Sequence, residues 1–215
     1  GRAPWFSDTL QLSPIDPQAP RRNVVIVMLE SMRAASTTLA TPPLPTTPFL
    51  KSLADQGLRV ADMNAVIPRT AAAWTAILGG TYPLTNEGTG RWAARQDDGA
   101  PASVALPRAL RSLGYATSFF TPAEVDFLHD RQVIERLGFE EVFAESEVNR
   151  HGAPRVNYFG PPDEVMLEPI AEWTQAQVQA GRPFMTAIMT NVGHHPYGTP
   201  PGWQRMDFKG VPPGS

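Results

Sequence analysis

The chain has 215 residues, 18 % of them charged, and a formal net charge of −3. This length can bury a substantial core within one domain, and the mildly acidic balance gives no indication of a nucleic-acid partner. Because the chain has no cysteine, disulfides, thiolate metal sites and a cysteine nucleophile are excluded. No apolar run approaches the ~18 residues that span a bilayer, and no signal peptide is visible.

The N-terminal part divides into an arm and a strand. Residues 1–22 contain four prolines and no hydrophobic periodicity, which predicts an extended arm or linker. Residues 23–29 are continuously apolar and rich in β-branched side chains, a pattern typical of a central parallel strand covered on both faces. The strand ends at Glu30, where open α/β sheets bind ligands. A glutamate that simply faces water is an equally open interpretation.

The next segment carries clear helix punctuation. Thr47 as N-cap, Pro48 at the first helical position and Gly57 just past the end predict a helix. The stripe expected to face the core consists of Phe49, Leu50, Leu53 and Ala54. Residues 58–63 are expected to return to the sheet as a strand.

The segment from Asn64 to Pro83 is the most informative stretch. Consecutive alanines favour a short helix that opens at Thr70, and Gly79 and Gly80 end it. Thr70 would then lie where unpaired backbone amides and the helix dipole favour anions such as phosphate or sulfate. Threonine is also a common N-cap of core helices, so this stretch alone leaves both interpretations open.

The remaining chain alternates between helices and strands. We predict, in order, a polar loop at 85–102 with Arg91, a helix at 103–113, a strand at 115–120, a helix at 126–137, a short strand near 142–143, a long helix from a cap at Asp163 to Gly181, a strand at 183–190, and a Pro/Gly-rich tail at 198–215. Loops as long as residues 85–102 are often functional. The alternation predicts an α/β domain over residues 23–197, with a mostly parallel central sheet and helices on both faces.

Polar residues from three separate segments should meet at one edge of this sheet. They are Glu30, Thr70 and the adjacent pair His194 and His195. A carboxylate and a hydroxyl can share a divalent cation, which lowers the pKa of the hydroxyl, while a helix N-terminus stabilises an oxyanion. The arrangement is what metal-assisted phosphoryl or sulfuryl transfer needs. Adjacent histidines in a loop are often plain surface residues, so they add support only.

Four spaced elements together resemble the sulfatase-like branch of the alkaline phosphatase superfamily. They are the strand that ends Leu-Glu30-Ser-Met-Arg, the Thr-Thr-Pro-Phe-Leu helix, the Thr70…Leu-Gly-Gly80-Thr-Tyr-Pro segment and Asn191…His194-His-Pro-Tyr. The resemblance covers roughly residues 22–200. In ordinary sulfatases the nucleophile is a formylglycine made from Cys or Ser, ten residues before the glycine of a Leu-Thr-Gly motif. Here Thr70 stands ten residues before Gly80.

A threonine nucleophile with a Glu-Ser strand end is similar to the lipoteichoic-acid synthase, phosphoglycerol transferase and phosphoethanolamine transferase type. The resemblance implies a membrane-anchored bacterial enzyme whose catalytic domain faces the periplasm or the outside. It implies a divalent metal, Mn or Zn in the first place, with Ca or Mg as alternatives, and a phosphothreonine intermediate. The partner would be a small-molecule or lipid-linked phosphodiester, with membrane contact only through segments absent from this chain.

The resemblance also assigns roles to single residues. Glu30 and Thr70 would be metal ligands, and Thr70 also the nucleophile. The expected substrate-binding residues are His194, His195, Trp74 and Arg91. Trp74 stands where sulfatases usually have an arginine, and Asp163 is expected to be a structural helix cap.

One departure concerns the metal. The family places further ligands, an Asp-His pair and another histidine, after the His-Pro-Tyr loop, and no histidine follows His195 here. We therefore expect a chain truncated at its C-terminus, with the remaining ligands beyond Ser215. Two alternatives stay open: a sulfuric ester hydrolase, disfavoured because position 70 is neither Cys nor Ser, and an inactive fragment or relative that only binds an anion or a partner.

Overall fold

The computed structural model describes residues 19–40, 45–61, 63–80, 82, 105–126, 130–199 and 202–203. Most of the predicted N-terminal arm, the loop with Arg91 and most of the tail lie outside the described residues. No helix in the described part is both long and apolar enough to cross a bilayer.

In the described part of the chain, a sheet of four strands forms the centre of the domain. Its strands are β1 (Val24–Met28), β2 (Ala116–Phe120), β3 (Glu141–Phe143) and β4 (Phe184–Met189). They lie in the order β1-β4-β2-β3, and each neighbouring pair is parallel. The predicted strands at 23–29, 115–120 and 183–190 are therefore confirmed as adjacent parallel strands, because apolar runs separated by helices return to the sheet in the same direction.

Helices surround this sheet. They are α1 (Pro48–Gln56), α2 (Thr70–Gly79), α3 (Leu106–Ser112), α4 (Asp130–Leu137), α5 (Glu145–Val148) and α6 (Leu167–Gln179), with 3-10 turns at Ala34–Ser36 and Asp163–Met166. Inward side chains of α2 and α4 pack on one face of the sheet around Phe119 and Met185. Trp173 of α6 packs on the other face with Phe120 and Phe184. The predicted α/β architecture with helices on both faces is thereby confirmed.

The expectation for β1 is wrong in one respect. Its inward residues Val24, Ile26 and Met28 pack against the core, but Val25 and Val27 on the opposite face are each 54 % exposed. Among the strands that the structure describes, β1 lies at the edge of the sheet rather than in its middle. A run of apolar residues predicts a strand that favours burial on both faces. It does not show whether another element covers each face.

Two expectations for the segment after β1 are also wrong. Helix α1 begins at Pro48 as predicted, but it has no buried residue, and Phe49 and Leu53 of its apolar stripe are 72 % and 50 % exposed. Residues 58–61 and 63 form no strand. The amphipathic pattern indicates a helix but does not identify the surface on which its apolar stripe would pack.

Candidate active site

Helix α2 presents its N-terminus at the carboxyl end of β1. It begins at Thr70, and Gly80 ends it in the left-handed conformation at φ 63°. The N-cap position is occupied by Arg69, and no side chain caps the helix. The N-cap interpretation of Thr70 is therefore wrong. Its hydroxyl turns away from its own helix and donates to Oε2 of Glu30 over 3.2 Å.

Glu30 is held in place from the neighbouring strand. Its backbone N–H donates to Oγ1 of Thr190 over 2.9 Å, just past the end of β4. The hydroxyl of Ser31 donates to Oε1 of Glu30 over 2.9 Å, so both carboxylate oxygens accept a hydroxyl. Ser31 has φ 54°, a conformation that non-glycine residues rarely adopt and that clusters at functional sites.

An open cleft of about 400 Å³ lies against these two residues. Glu30, Ser31 and Thr70 line it together with the two arginines Arg33 and Arg69. Two guanidinium groups and the free amides of a helix N-terminus favour an anion in this cleft, and guanidinium geometry matches phosphate.

Trp74 is part of the core rather than of the open surface. It reaches the wall of the cleft but is only 3 % exposed. Its indole packs edge-on against Phe119 at 5.2 Å, and Nε1 points to the sulfur of Met189 at 3.4 Å. Because nearly the whole ring is used for packing, we leave Trp74 out of the proposed substrate site.

The loop after β4 carries the two histidines. Nδ1 of His194 lies 2.9 Å from the carbonyl oxygen of His195. A carbonyl only accepts, so Nδ1 carries a proton, and in the neutral ring Nε2 keeps its lone pair. The ring of His195 is exposed and packs near Tyr197, which has φ 60°. Ser31 and Tyr197 are the two non-glycine residues of positive φ among those described, and both flank this region.

Gly193 brings this loop against the Glu30 turn. A Cβ at position 193 would overlap the carbonyl oxygen of Glu30, so only glycine permits the approach. The His194 loop thus touches the backbone of the residue whose carboxylate meets Thr70. The His194 side chain does not line the cleft itself.

Two of the residues present offer donor atoms that suit a metal. Glu30 and Thr70 supply a carboxylate and a hydroxyl oxygen within 3.2 Å of each other, a donor pair that suits a divalent cation. No group of three or more Asp, Glu, His or Cys in the described part of the chain could hold a metal ion. A complete site of about four ligands would need further donors.

The structure therefore pairs Glu30 with Thr70, sets the loop of His194 and His195 beside them, and buries Trp74. Two cleft residues were missed by reasoning from sequence, Arg33 and Arg69. Their positions in the sequence could have indicated that both lie near the site. Arg33 follows the strand-end Glu-Ser pair closely, and Arg69 directly precedes Thr70.

Comparison with solved structures defines the class of fold. The chain superimposes on a protein of the alkaline phosphatase superfamily from Vibrio parahaemolyticus with a TM-score of 0.74 and 23 % identity, covering 89 % of this chain and 46 % of the other. It superimposes on the lipoteichoic acid synthase LtaP from Listeria monocytogenes with a TM-score of 0.68 and 22 % identity, covering 88 % and 45 %. These likenesses establish the fold.

The sequence comparisons establish the family. Residues 22–215 match the family model described as Sulfatase, so the chain belongs to the sulfatase family. Phosphoglycerol transferase I from two strains of Xanthomonas campestris pv. campestris, B100 and ATCC 33913, is 27 % identical over 205 residues in each case. The match covers 87 % of this chain and 29 % of each relative. The chain also spans less than half of the two structural neighbours.

Proposed function

We propose that this chain carries the nucleophile side of the active site of a metal-dependent phosphotransferase or phosphodiesterase. The observation that carries the proposal is the contact of 3.2 Å between the Thr70 hydroxyl and Glu30 at the N-terminus of α2. The sequence similarity to phosphoglycerol transferases supports a phospho-alcohol substrate of the phosphoglycerol type, and a phosphoethanolamine-type substrate is the related alternative that we propose.

The proposed reaction has two halves. In the first, Thr70 Oγ1 loses its proton and bonds to the phosphorus of a phosphodiester, while the bond from phosphorus to the leaving alcohol breaks and that alcohol departs with a proton. In the second, an acceptor alcohol or water attacks the same phosphorus, loses its proton and releases Thr70, which is protonated again. Covalent catalysis of this kind replaces one difficult step by two easier ones.

Each side chain of the cleft has a role in this proposal. Glu30 holds the Thr70 hydroxyl in position, and Arg33 and Arg69 neutralise the charge of the phosphoryl oxygens. The free amides at the start of α2 face the same oxygens. His194 contacts a phosphate oxygen from the neighbouring loop, with His195 and Arg91 as further proposed contacts.

A divalent metal, Mn or Zn in the first place, would bind to Glu30 and Thr70 together with ligands from elsewhere. When bound, it would lower the pKa of the hydroxyl and offset phosphoryl charge. We further propose a small-molecule or lipid-linked phosphodiester as substrate, and a location on the periplasmic or extracellular face of a bacterial membrane.

The test compares two substrate classes. The full-length gene product is assayed with an aryl phosphodiester and an aryl sulfate in the presence of Mn²⁺ or Zn²⁺. We expect phosphodiester turnover that is lost in Thr70→Ala and kept in the control Thr174→Ala, a remote hydroxyl on α6 that donates to its own helix. Efficient sulfate cleavage would favour a sulfatase, and the absence of both activities would favour a domain that only binds.

A further inference from the structure

The loop that carries His194 is anchored at its start by Asp163. The backbone N–H of Asn191 donates to Oδ1 of Asp163 over 2.6 Å, and that of Val192 points to Oδ2 at 3.4 Å. The expectation that Asp163 caps the long helix is wrong, because Asp163 opens a 3-10 turn and the helix proper begins at Leu167. Its carboxylate instead accepts a hydrogen bond from Asn191, which lies 28 residues further along the chain.

Two buried asparagines add further hydrogen bonds between this loop and the segment around Asp163. Nδ2 of Asn157 donates to the carbonyl of Asn191 over 3.1 Å, and Nδ2 of Asn191 donates to the carbonyl of Pro161 over 3.2 Å. Asn157 and Asn191 are 8 % and 2 % exposed. The side chain, the backbone N–H and the carbonyl of Asn191 each form a hydrogen bond with a residue in the range 157–163, so this segment fixes the backbone just before His194.

The same segment holds the His194 ring. The ring packs edge-on against Phe159 at 4.2 Å and Tyr158 at 5.3 Å. The backbone N–H of His194 donates to the Asn191 carbonyl over 3.0 Å. The orientation of His194 is therefore tied to Asn191 through the backbone and to the aromatic pair through the ring.

We propose that Asp163 is a positioning residue for His194: by holding the amides of Asn191 and Val192, it fixes the loop in the conformation in which His194 meets the phosphate. The inference rests on the proposed function in one respect, namely that His194 contacts substrate.

The environment of Asp163 supports this role. Burial raises the pKa of its carboxyl, the two amides lower the pKa, and the neighbouring charge of Glu164 raises it further. Desolvation is the largest of these effects. A partly buried carboxylate that accepts from two amides of one loop is suited to position that loop.

A double-mutant cycle tests the inference in the full-length gene product, with an aryl phosphodiester as substrate. We expect Asp163→Ala and His194→Ala each to lower kcat/KM about 10-fold or more, mainly through KM, and the double variant to be no worse than His194→Ala alone. Asp163→Asn keeps an acceptor for Asn191 but sets an amide N–H against that of Val192, so its kcat/KM should be intermediate. The matched control is Glu164→Gln, at the adjacent exposed carboxylate. Its kcat/KM should equal that of the parent. If the losses of kcat/KM in Asp163→Ala and His194→Ala multiply in the double variant, the inference is wrong.

Amide hydrogen exchange separates this inference from the proposed function. In Asp163→Asn the amide of Val192, and in Asp163→Ala, if it folds, the amides of both Asn191 and Val192, should exchange about 10-fold faster or more, while strand β2 keeps its protection. Unchanged exchange at Val192 in Asp163→Asn would refute the positioning role even in a protein without activity. A parent protein that turns over no phosphodiester, with the exchange result as expected, would remove the proposed function and leave the anchoring of the loop established.

Discussion

The hydroxyl of Thr70 donates to the carboxylate of Glu30 across 40 positions of sequence, over 3.2 Å. The contact exists because β1 ends against the N-terminus of α2, so the last residues of a strand meet the first residue of a helix. A threonine at the N-cap position ordinarily accepts from a backbone amide of the first turn. Here Arg69 occupies that position and no side chain caps the helix, so the first amides of α2 stay available for a ligand.

The first prediction concerns the metal. Glu30→Gln keeps the size of the side chain but removes the charge that a divalent cation needs, so we expect the affinity for Mn²⁺ or Zn²⁺ to fall at least about 10-fold. Titration calorimetry on the full-length gene product measures it. The control is Glu168→Gln, an exposed carboxylate paired with His151, which should not change the affinity. Equal affinities for Glu30→Gln and the parent would remove Glu30 from the ligand set.

The second prediction concerns Trp74. Because the indole is 3 % exposed and packs on Phe119, Trp74→Ala should lower the free energy of unfolding by about 3–5 kcal/mol. Trp203 is 64 % exposed, and Trp203→Ala should stay within about 0.5 kcal/mol of the parent. Urea unfolding of both variants checks this. Similar small losses at the two positions would show that Trp74 is not the core residue that the structure indicates.

The sequence predicted the parts of the fold that depend on local pattern. Apolar runs marked the three long strands, and the Pro48 and Thr70 helices were found because proline, alanine and glycine act on the backbone locally. The exposure of β1 and α1 was missed, since a pattern shows which face is apolar and not what lies over it. The Glu30–Thr70 pair was predicted, because ligand-binding groups in open α/β sheets gather at the carboxyl ends of the strands and helix N-termini favour anions there.

The role of Asp163 could not be read from the sequence. An acidic residue just before a long helix satisfies the usual signal of a cap, and the pattern contains no information on the loop that follows β4. The close approach of Gly193 to Glu30 was missed for the same reason, because tertiary contact decides it.

The third prediction uses that approach. Gly193→Ala would place a methyl group on the Glu30 carbonyl, so the His194 loop must shift. We expect a loss of about 1–3 kcal/mol in stability together with a lower kcat/KM for phosphodiesters. Gly57→Ala serves as the control, since a Cβ there would lie 3.3 Å from the Leu53 carbonyl and φ is negative. If Gly193→Ala is as stable and active as Gly57→Ala, the contact has no importance for the site.

The fourth prediction concerns pH. The pKa of Asp163 is raised above its ordinary value of 3.8, mainly by burial, so the folded protein binds this proton more tightly than the unfolded chain. The stability that Asp163 contributes is therefore complete below pH 3.8 and is lost as the pH rises through the folded pKa. Relative to Asp163→Asn, the parent should gain stability as the pH is lowered through this window. Urea unfolding at several acidic pH values measures the difference, and a gain on raising the pH would contradict the sign.

Mass spectrometry of the full-length gene product, quenched in acid during turnover of an aryl phosphodiester, tests the nucleophile most directly. We expect a phospho-alcohol adduct on the peptide that contains Thr70, present in the parent and absent in Thr70→Ala, which should also lose turnover. Turnover without any adduct on Thr70, or full activity in Thr70→Ala, would contradict it.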